Sequence, residues 1–145
     1  MTEAWTKRLL LAAAAWNILG GASALWDPAQ HFAQLYTASL SLDDPLQLFF
    51  YRCTWINVIA WGVAYGLAAM LPSSRRVVLA AGAAGKSAYF LACAALFASG
   101  TGNGMLLAAG IVDVLRAALF VAALVSGRRI PALPIDRHTS GRAAK

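Results

Sequence analysis

Charged side chains lie in the middle of long apolar segments of this 145-residue chain. Lys86 lies within the apolar run 77–99, and Asp113 and Arg116 lie within the run 105–125. An ionisable group at the centre of a membrane helix costs about 2.5–3.5 kcal/mol on insertion scales, so such groups usually face a protein interior and pair. The sequence therefore predicts a buried polar layer in which Asp113 pairs with Lys86 or Arg116.

Three further polar residues belong to this predicted layer. At a rise of 1.5 Å per residue, Asn17, Asn57, Lys86 and Asp113 each lie roughly 12–14 Å inside an apolar core about 30 Å thick. Arg52 lies closer to one edge, about 6 Å deep by the same rise. Because the two asparagines share one depth, we expect them to hydrogen-bond across helices.

The charge balance of the layer favours a binding role. Lys86, Arg116 and Arg52 supply three positive charges against the single carboxylate of Asp113, and an unpaired buried charge requires a partner. An anionic head group with an apolar tail would suit a pocket with aromatic walls and a basic floor. The sequence thus predicts that the chain binds or transports a small anionic amphiphile or lipid, through candidate residues Lys86, Asp113, Arg116, Asn57, Asn17, Arg52, Tyr89 and Trp61.

Two other functions fit the same residues. In the first, the polar layer only sets the register of the helices, and the chain is a structural or interaction subunit of a membrane assembly. In the second, the chain is a membrane-embedded enzyme in which Lys86 acts as a base beside Tyr89 and Asp113. The sequence assigns no catalytic residue, so it leaves open whether the chain is an enzyme.

Cysteine and histidine are too sparse to indicate a metal or a cofactor. Cys53 and Cys93 form no CxxC motif, and His31 and His138 lie in a loop and in the tail. The cysteines lie at similar predicted depths, so they are either a redox pair or separate apolar fillers. We expect no metal and no cofactor.

The composition is that of a membrane protein. Apolar residues make up 60% of the chain and charged residues 12%, whereas soluble domains have about 45–50% and 25%. The net charge of +6 comes from basic residues at the ends of the apolar segments and in the tail, where membrane topology places them. We therefore expect the lipid bilayer, not nucleic acid, as a partner.

The segments that position the polar layer predict an all-α integral membrane protein, a four-transmembrane-helix bundle. One domain, 1–126, contains the four spans, and the basic tail 127–145 is predicted to be disordered and cytoplasmic. The first span also has features of a signal peptide, with Ala22-Ser23-Ala24 as a cleavage-like motif. The predicted spans are 9–26, 48–71, 77–99 and 105–125.

A short interfacial helix is expected after the first span. Asp27 is a typical N-cap and Pro28 a typical first helical residue. Phe32, Leu35 and Tyr36 follow at helical spacing on one face, which predicts a lid or collar on the membrane surface. Asp44 and Pro45 repeat the signal of Asp27 and Pro28 and are predicted to open the helix of the second span.

The positions of Lys and Arg predict the orientation. Basic pairs stand at residues 7–8, 75–76 and 128–129, whereas the connections 27–48 and 100–104 contain no Lys or Arg. The positive-inside rule then places both termini in the cytoplasm. Gly62 and Gly66 form a GxxxG pair, which packs either within the bundle or against a second copy or another membrane protein.

The order of these motifs resembles that of the DoxX-like family of small four-helix bacterial membrane proteins. The resemblance rests on the Trp-Asp-Pro-Ala corner at 26–29, the aromatic second span, Gly-Lys-Ser-Ala-Tyr-Phe at 85–90 and the Asp-centred fourth span. It implies a four-helix bundle in the bacterial inner membrane. It implies no activity and no catalytic residue.

Overall fold

The computed structural model describes residues 2–127, which form five α-helices and one 3₁₀ turn at Pro72–Ser74. The predicted disorder of the tail concerns residues that, Gly127 apart, lie outside the described part of the chain. The helices are α1 (Glu3–Trp26), α2 (Pro28–Leu35), α3 (Pro45–Met70), α4 (Arg75–Ala98) and α5 (Gly104–Gly127).

Four of the helices, α1, α3, α4 and α5, are long and apolar enough to cross a membrane. Large apolar side chains on them point outward, for example Leu19 at 70% exposure and Leu91 at 66%. A soluble protein rarely exposes apolar surface on this scale. The prediction of an all-α bundle with four long apolar helices is confirmed, and its surface indicates a multi-pass membrane protein.

Two Asp-Pro pairs begin helices as the sequence predicts. Asp27 Oδ1 accepts a hydrogen bond from the Gln30 backbone N–H at the start of α2. Asp44 Oδ1 accepts from the backbone N–H groups of Leu46 and Gln47 at the start of α3. Helix α3 consequently begins at Pro45, three residues before the predicted span.

The long helices form two antiparallel pairs, α1 with α3 and α4 with α5. Small residues allow the close approach of the first pair: a Cβ at Gly62 would lie 2.7 Å from Ile18 Cγ1, and one at Gly21 would lie 2.5 Å from Ile59 Cγ1. The Gly62 face is therefore used inside the bundle, against α1.

The two pairs meet at one end of the bundle, which we call the closed end. Leu10, Ala69, Leu79 and Phe120, one from each long helix, share a single apolar cluster there. Arg75 reinforces this end because its guanidinium donates to the backbone oxygens of α3 residues 68 and 69 and to a Glu3 carboxylate oxygen at the start of α1.

Helix α2 lies across the opposite end, between the two pairs. Phe32 belongs to an apolar cluster with Tyr51 of α3, whereas Leu35 belongs to one with Cys93 of α4 and Leu106 of α5. Backbone hydrogen bonds and an isolated β-bridge between Tyr36 and Gly102 attach the end of α2 to the α4–α5 turn. Helix α2 thus contacts both helix pairs at this end, whereas the pairs contact each other mainly at the closed end.

Candidate functional site

An ion cluster lies at the centre of the bundle. Lys86 Nζ donates to Asp113 Oδ1 at 2.7 Å, and Arg116 Nη1 donates to the same oxygen at 3.2 Å. The three side chains are 5%, 13% and 18% exposed. Two cations against one carboxylate leave one positive charge in the cluster.

Helix α1 supplies two further contacts to this cluster. Asn17 Oδ1 accepts a long hydrogen bond of 3.4 Å from Lys86 Nζ, and Asn17 Nδ2 donates to the Val58 backbone oxygen at 3.4 Å. The Arg116 guanidinium lies 4.4 Å from the centroid of the Trp16 ring, a cation–π distance. The excess charge is thus held by a polar amide and an aromatic face, with no second carboxylate among residues 2–127 bonded to it.

A cavity of about 600 Å³ extends from the ion cluster to α2, between the two helix pairs. This volume is within the range of about 300–1,000 Å³ that small-molecule sites occupy. All five helices line it, and most of its wall is apolar. The aromatic side chains in the wall are Trp16, Tyr36, Tyr51, Trp55, Trp61, Tyr65 and Tyr89.

Tyr65 forms the floor of the cavity at the closed end. Its ring packs 5.4 Å from Phe120 and 5.8 Å from Trp61 between centroids, and Lys86 Nζ lies 5.7 Å from its centroid. Tyr65 is 2% exposed, and Gly82 faces it so closely that a Cβ there would lie 2.7 Å from the Tyr65 hydroxyl oxygen. The ion cluster therefore lies just above a tightly packed aromatic base.

His31 and Tyr51 form the polar part of the other end, beneath α2. His31 Nδ1 and the Tyr51 hydroxyl are 3.0 Å apart, and the His31 ring packs edge-on against Trp55 at 4.5 Å. The Tyr51 hydroxyl also lies 3.4 Å from the Ala24 backbone oxygen. Partial burial lowers the pKa of His31 below its ordinary value of 6.5, so its imidazole is neutral at pH 7.

Two glycines leave open space along the cavity wall. Gly20 of α1 and Gly85 of α4 line the cavity, and a Cβ added at either position would meet no atom within 4 Å. Exposed Thr54 and Met105 also line the cavity. The cavity is therefore partly open between the helices.

The structure brings together six of the eight predicted site residues. Lys86, Asp113, Asn17, Tyr89 and Trp61 line the cavity, and Arg116 contacts it through Asp113.

Two predicted site residues lie elsewhere. Arg52 and Asn57 are exposed and do not line the cavity, so the structure does not bring them together with the other six. Both occupy exposed positions of α3, and Asn17 bonds the Val58 backbone rather than Asn57.

The cysteines occupy different environments. Cys93 is 1% exposed and packs with Leu35 and Leu106, whereas Cys53 is exposed, and both are free thiols. These surroundings favour the apolar-filler interpretation of Cys93. Within residues 2–127 no group of three or more His, Cys, Asp or Glu side chains could hold a metal ion.

Several cavity residues were not among the predicted site residues. Tyr65 carries no pattern that separates it from the other aromatics of α3. His31 could have been found, because it lies four residues before Leu35 and so shares the inner face of α2. Trp16, adjacent to Asn17, gave no signal of its contact with Arg116.

Comparison of the chain with known proteins gives no further assignment. No family model matches it, and no curated protein and no solved structure matches it either.

Proposed function

We propose that this chain is a membrane protein that binds, and carries between the bilayer and its own interior, a small amphiphile with a single negative charge. One observation carries the proposal: an apolar, aromatic-walled cavity of about 600 Å³ ends at an ion cluster with one excess positive charge. A monoanion bound beside Lys86 would neutralise the cluster, whereas a cation would add to its excess charge.

The apolar walls and the side openings support a lipophilic ligand. Gly20, Gly85 and the exposed cavity residue Met105 mark places where a ligand could enter from the side. A ligand that enters from the bilayer keeps its apolar part out of water throughout. This entry route favours an amphiphile over a small hydrophilic anion.

The structural alternative rests on a separate observation. Every buried side-chain nitrogen or oxygen among the described residues has a hydrogen-bond partner, as a layer that only sets helix register would require. A register device, however, needs no cavity of this size next to it. The enzyme alternative is weaker, because the Lys86 ammonium bonds Asp113 and Asn17 and makes no hydrogen bond to Tyr89.

We further propose a bacterial inner-membrane location, with both termini cytoplasmic, and membership of the DoxX-like family. Lys7, Arg8, Arg75 and Arg76 all lie towards the closed end, which the positive-inside rule would place in the cytoplasm. At the opposite end Trp26 is 92% exposed, as suits an aromatic side chain at head-group level. This position would make α2 an interfacial helix.

The test is native mass spectrometry of the full chain in lipid nanodiscs, with decanoate as the probe. Wild type and Arg52→Met should each bind one decanoate, and Lys86→Met should bind it at least tenfold more weakly. Arg52→Met is the matched control, because it removes an exposed cation outside the cavity. Equal decanoate binding by all three proteins, or none by wild type, would overturn the proposal.

A second pair of variants tests the same cavity without changing Lys86, in case Lys86→Met does not fold. Gly85→Leu places a side chain in the open space of the cavity, whereas Ala84→Leu places the same side chain on the exposed surface of α4. We expect Gly85→Leu to abolish decanoate binding and Ala84→Leu to leave it unchanged. Decanoate binding that Gly85→Leu leaves intact would place the probe outside the cavity.

A further inference from the structure

The cavity has a second polar end, which the ion cluster does not explain. His31 and Gln34 of α2 line the same cavity as Lys86, with the apolar walls between them. An amphiphile with one head group and a plain alkyl tail would bring its apolar end against the half-buried His31 ring. Polar groups that lose water without gaining a partner weaken binding.

One ring nitrogen of His31 is hydrogen-bonded, and the other can still bind a ligand. Nδ1 lies 3.0 Å from the Tyr51 hydroxyl, and Nε2 has no hydrogen-bond partner among residues 2–127. If the Tyr51 hydroxyl donates to Nδ1, the neutral ring carries its proton on Nε2. If that hydroxyl instead donates to the Ala24 backbone oxygen, Nδ1 carries the proton and Nε2 accepts. A ligand hydroxyl suits both cases, because it donates and accepts.

The spacing between the two polar ends follows from two helices independently. On α1, Asn17 contacts Lys86, and Ala24 lies beside the Tyr51 hydroxyl. On α3, Val58 contacts Asn17, and Tyr51 itself contacts His31. Each pair is separated by seven residues, which at 1.5 Å per residue is about 10 Å along the bundle axis.

We propose that the ligand carries, besides its monoanionic head at Lys86, an uncharged hydroxyl about 10 Å away that binds His31 beneath α2. The chemical class is an ω-hydroxylated medium-chain carboxylic acid or a flat amphiphile with the same two groups. This inference rests on the proposed function, because it assigns the far end of the same ligand.

The experiment compares decanoate with its ω-hydroxy derivative on the full-length protein in nanodiscs, with cavity tryptophan fluorescence as the readout. We expect the hydroxyl to tighten binding to wild type by about tenfold, the upper range for one neutral hydrogen bond. His31→Phe keeps an aromatic ring against Trp55 but cannot bond the hydroxyl, so the two acids should bind it within about twofold of each other. His31→Gln should restore part of the preference.

A chain-length control needs no variant. Hexanoate and its ω-hydroxy derivative are too short to reach from Lys86 to His31, so wild type should bind the two equally. A preference for the hydroxyl in both chain lengths would overturn the assignment to His31, and so would a preference that His31→Phe leaves unchanged.

The outcomes separate this inference from the proposed function. If wild type binds decanoate and ω-hydroxydecanoate equally and Lys86→Met weakens both, the inference is wrong and the proposed function stands. If wild type binds neither acid, both fail. Lys86→Met should weaken the two acids by the same factor, since it acts on the head group they share.

Discussion

Lys86 and Asp113 form an ion pair 2.7 Å long that joins the middle of α4 to the middle of α5. The Tyr65 ring covers one side of the pair, and the other side faces the cavity. It therefore has two consequences: it fixes the register of one helix pair, and it presents a charged group to whatever enters the cavity.

Removal of one partner of this pair should destabilise the fold strongly. Asp113→Leu would leave Lys86 and Arg116 buried with no carboxylate, and such a change typically costs about 3–5 kcal/mol. The double variant Lys86→Met/Asp113→Leu should recover part of this loss, because only Arg116 is then left without the carboxylate. The free energy of unfolding in a denaturing detergent titration, monitored by circular dichroism, measures both.

The matched control is the ion pair of Glu3 and Arg75, whose carboxylate lies at the surface. Its carboxylate side chain is 76% exposed, so Glu3→Gln should cost no more than about 1 kcal/mol. A loss of stability in Glu3→Gln as large as in Asp113→Leu would contradict the central role of the buried pair. So would a double variant that is as unstable as Asp113→Leu alone.

Gly62 and Gly66 should respond oppositely to the same substitution. Gly62→Ala would place its Cβ 2.7 Å from Ile18 Cγ1 and 3.1 Å from the Ala14 backbone oxygen, and overpacking of this kind costs about 1–3 kcal/mol. Gly66→Ala would meet only Ala14 Cβ at 3.9 Å, so a better helix propensity should stabilise it by up to about 1 kcal/mol. Thermal denaturation in detergent separates the two, and unchanged stability of Gly62→Ala would refute the close α1–α3 contact.

The sequence predicts how deep each polar residue lies along its helix, but not the side of the helix on which it lies. Rise per residue places Asn17, Asn57, Lys86 and Asp113 at similar depths, and three of the four meet. Asn57 points outward because the inner face of α3 is set by its packing on α1. Aromatic and apolar residues surround α3 on every side, so the pattern contains no periodicity that would reveal this face.

Local signals, by contrast, predicted the starts of α2 and α3. An Asp side chain caps backbone N–H groups within three residues, and Pro28 and Pro45 fix the first turn, so no tertiary information is needed. The cavity could not be predicted in this way. It exists because two helix pairs close at one end and are bridged by α2 at the other, which is a property of packing.

The stability of the protein should depend on pH through His31. The Tyr51 hydroxyl and the Trp55 ring face it from α3, Asp27 begins its own helix, and burial lowers its pKa below 6.5. Between the folded pKa and 6.5 the unfolded chain binds more protons, so this contribution to stability is complete above pH 6.5 and declines as the pH falls. The melting temperature of wild type should therefore decrease as the pH is lowered from 7.5 to 5.5.

The control for this pH dependence is His31→Gln. The glutamine amide does not titrate, so the decline over the same pH range should become smaller, while His138 remains in the chain. A pH profile identical to that of wild type would show that His31 contributes nothing to it.

Asn103 attaches α2 through its side-chain donor and caps the start of α5 through its side-chain acceptor. Substitutions should separate these two roles. Its Nδ2 donates to the Gln34 backbone oxygen at 2.8 Å, and its Oδ1 accepts from the backbone N–H groups of Met105 and Leu106 at 2.9 and 3.3 Å. Asn103→Asp keeps the acceptor and loses the donor, whereas Asn103→Ala loses both. Hydrogen exchange followed by mass spectrometry should therefore show faster exchange in α2 for both variants, by up to about tenfold for one lost bond. Faster exchange at the start of α5 should appear only in Asn103→Ala, since only that variant removes the cap. Identical exchange patterns in the two variants would contradict the separate roles of the Asn103 donor and acceptor.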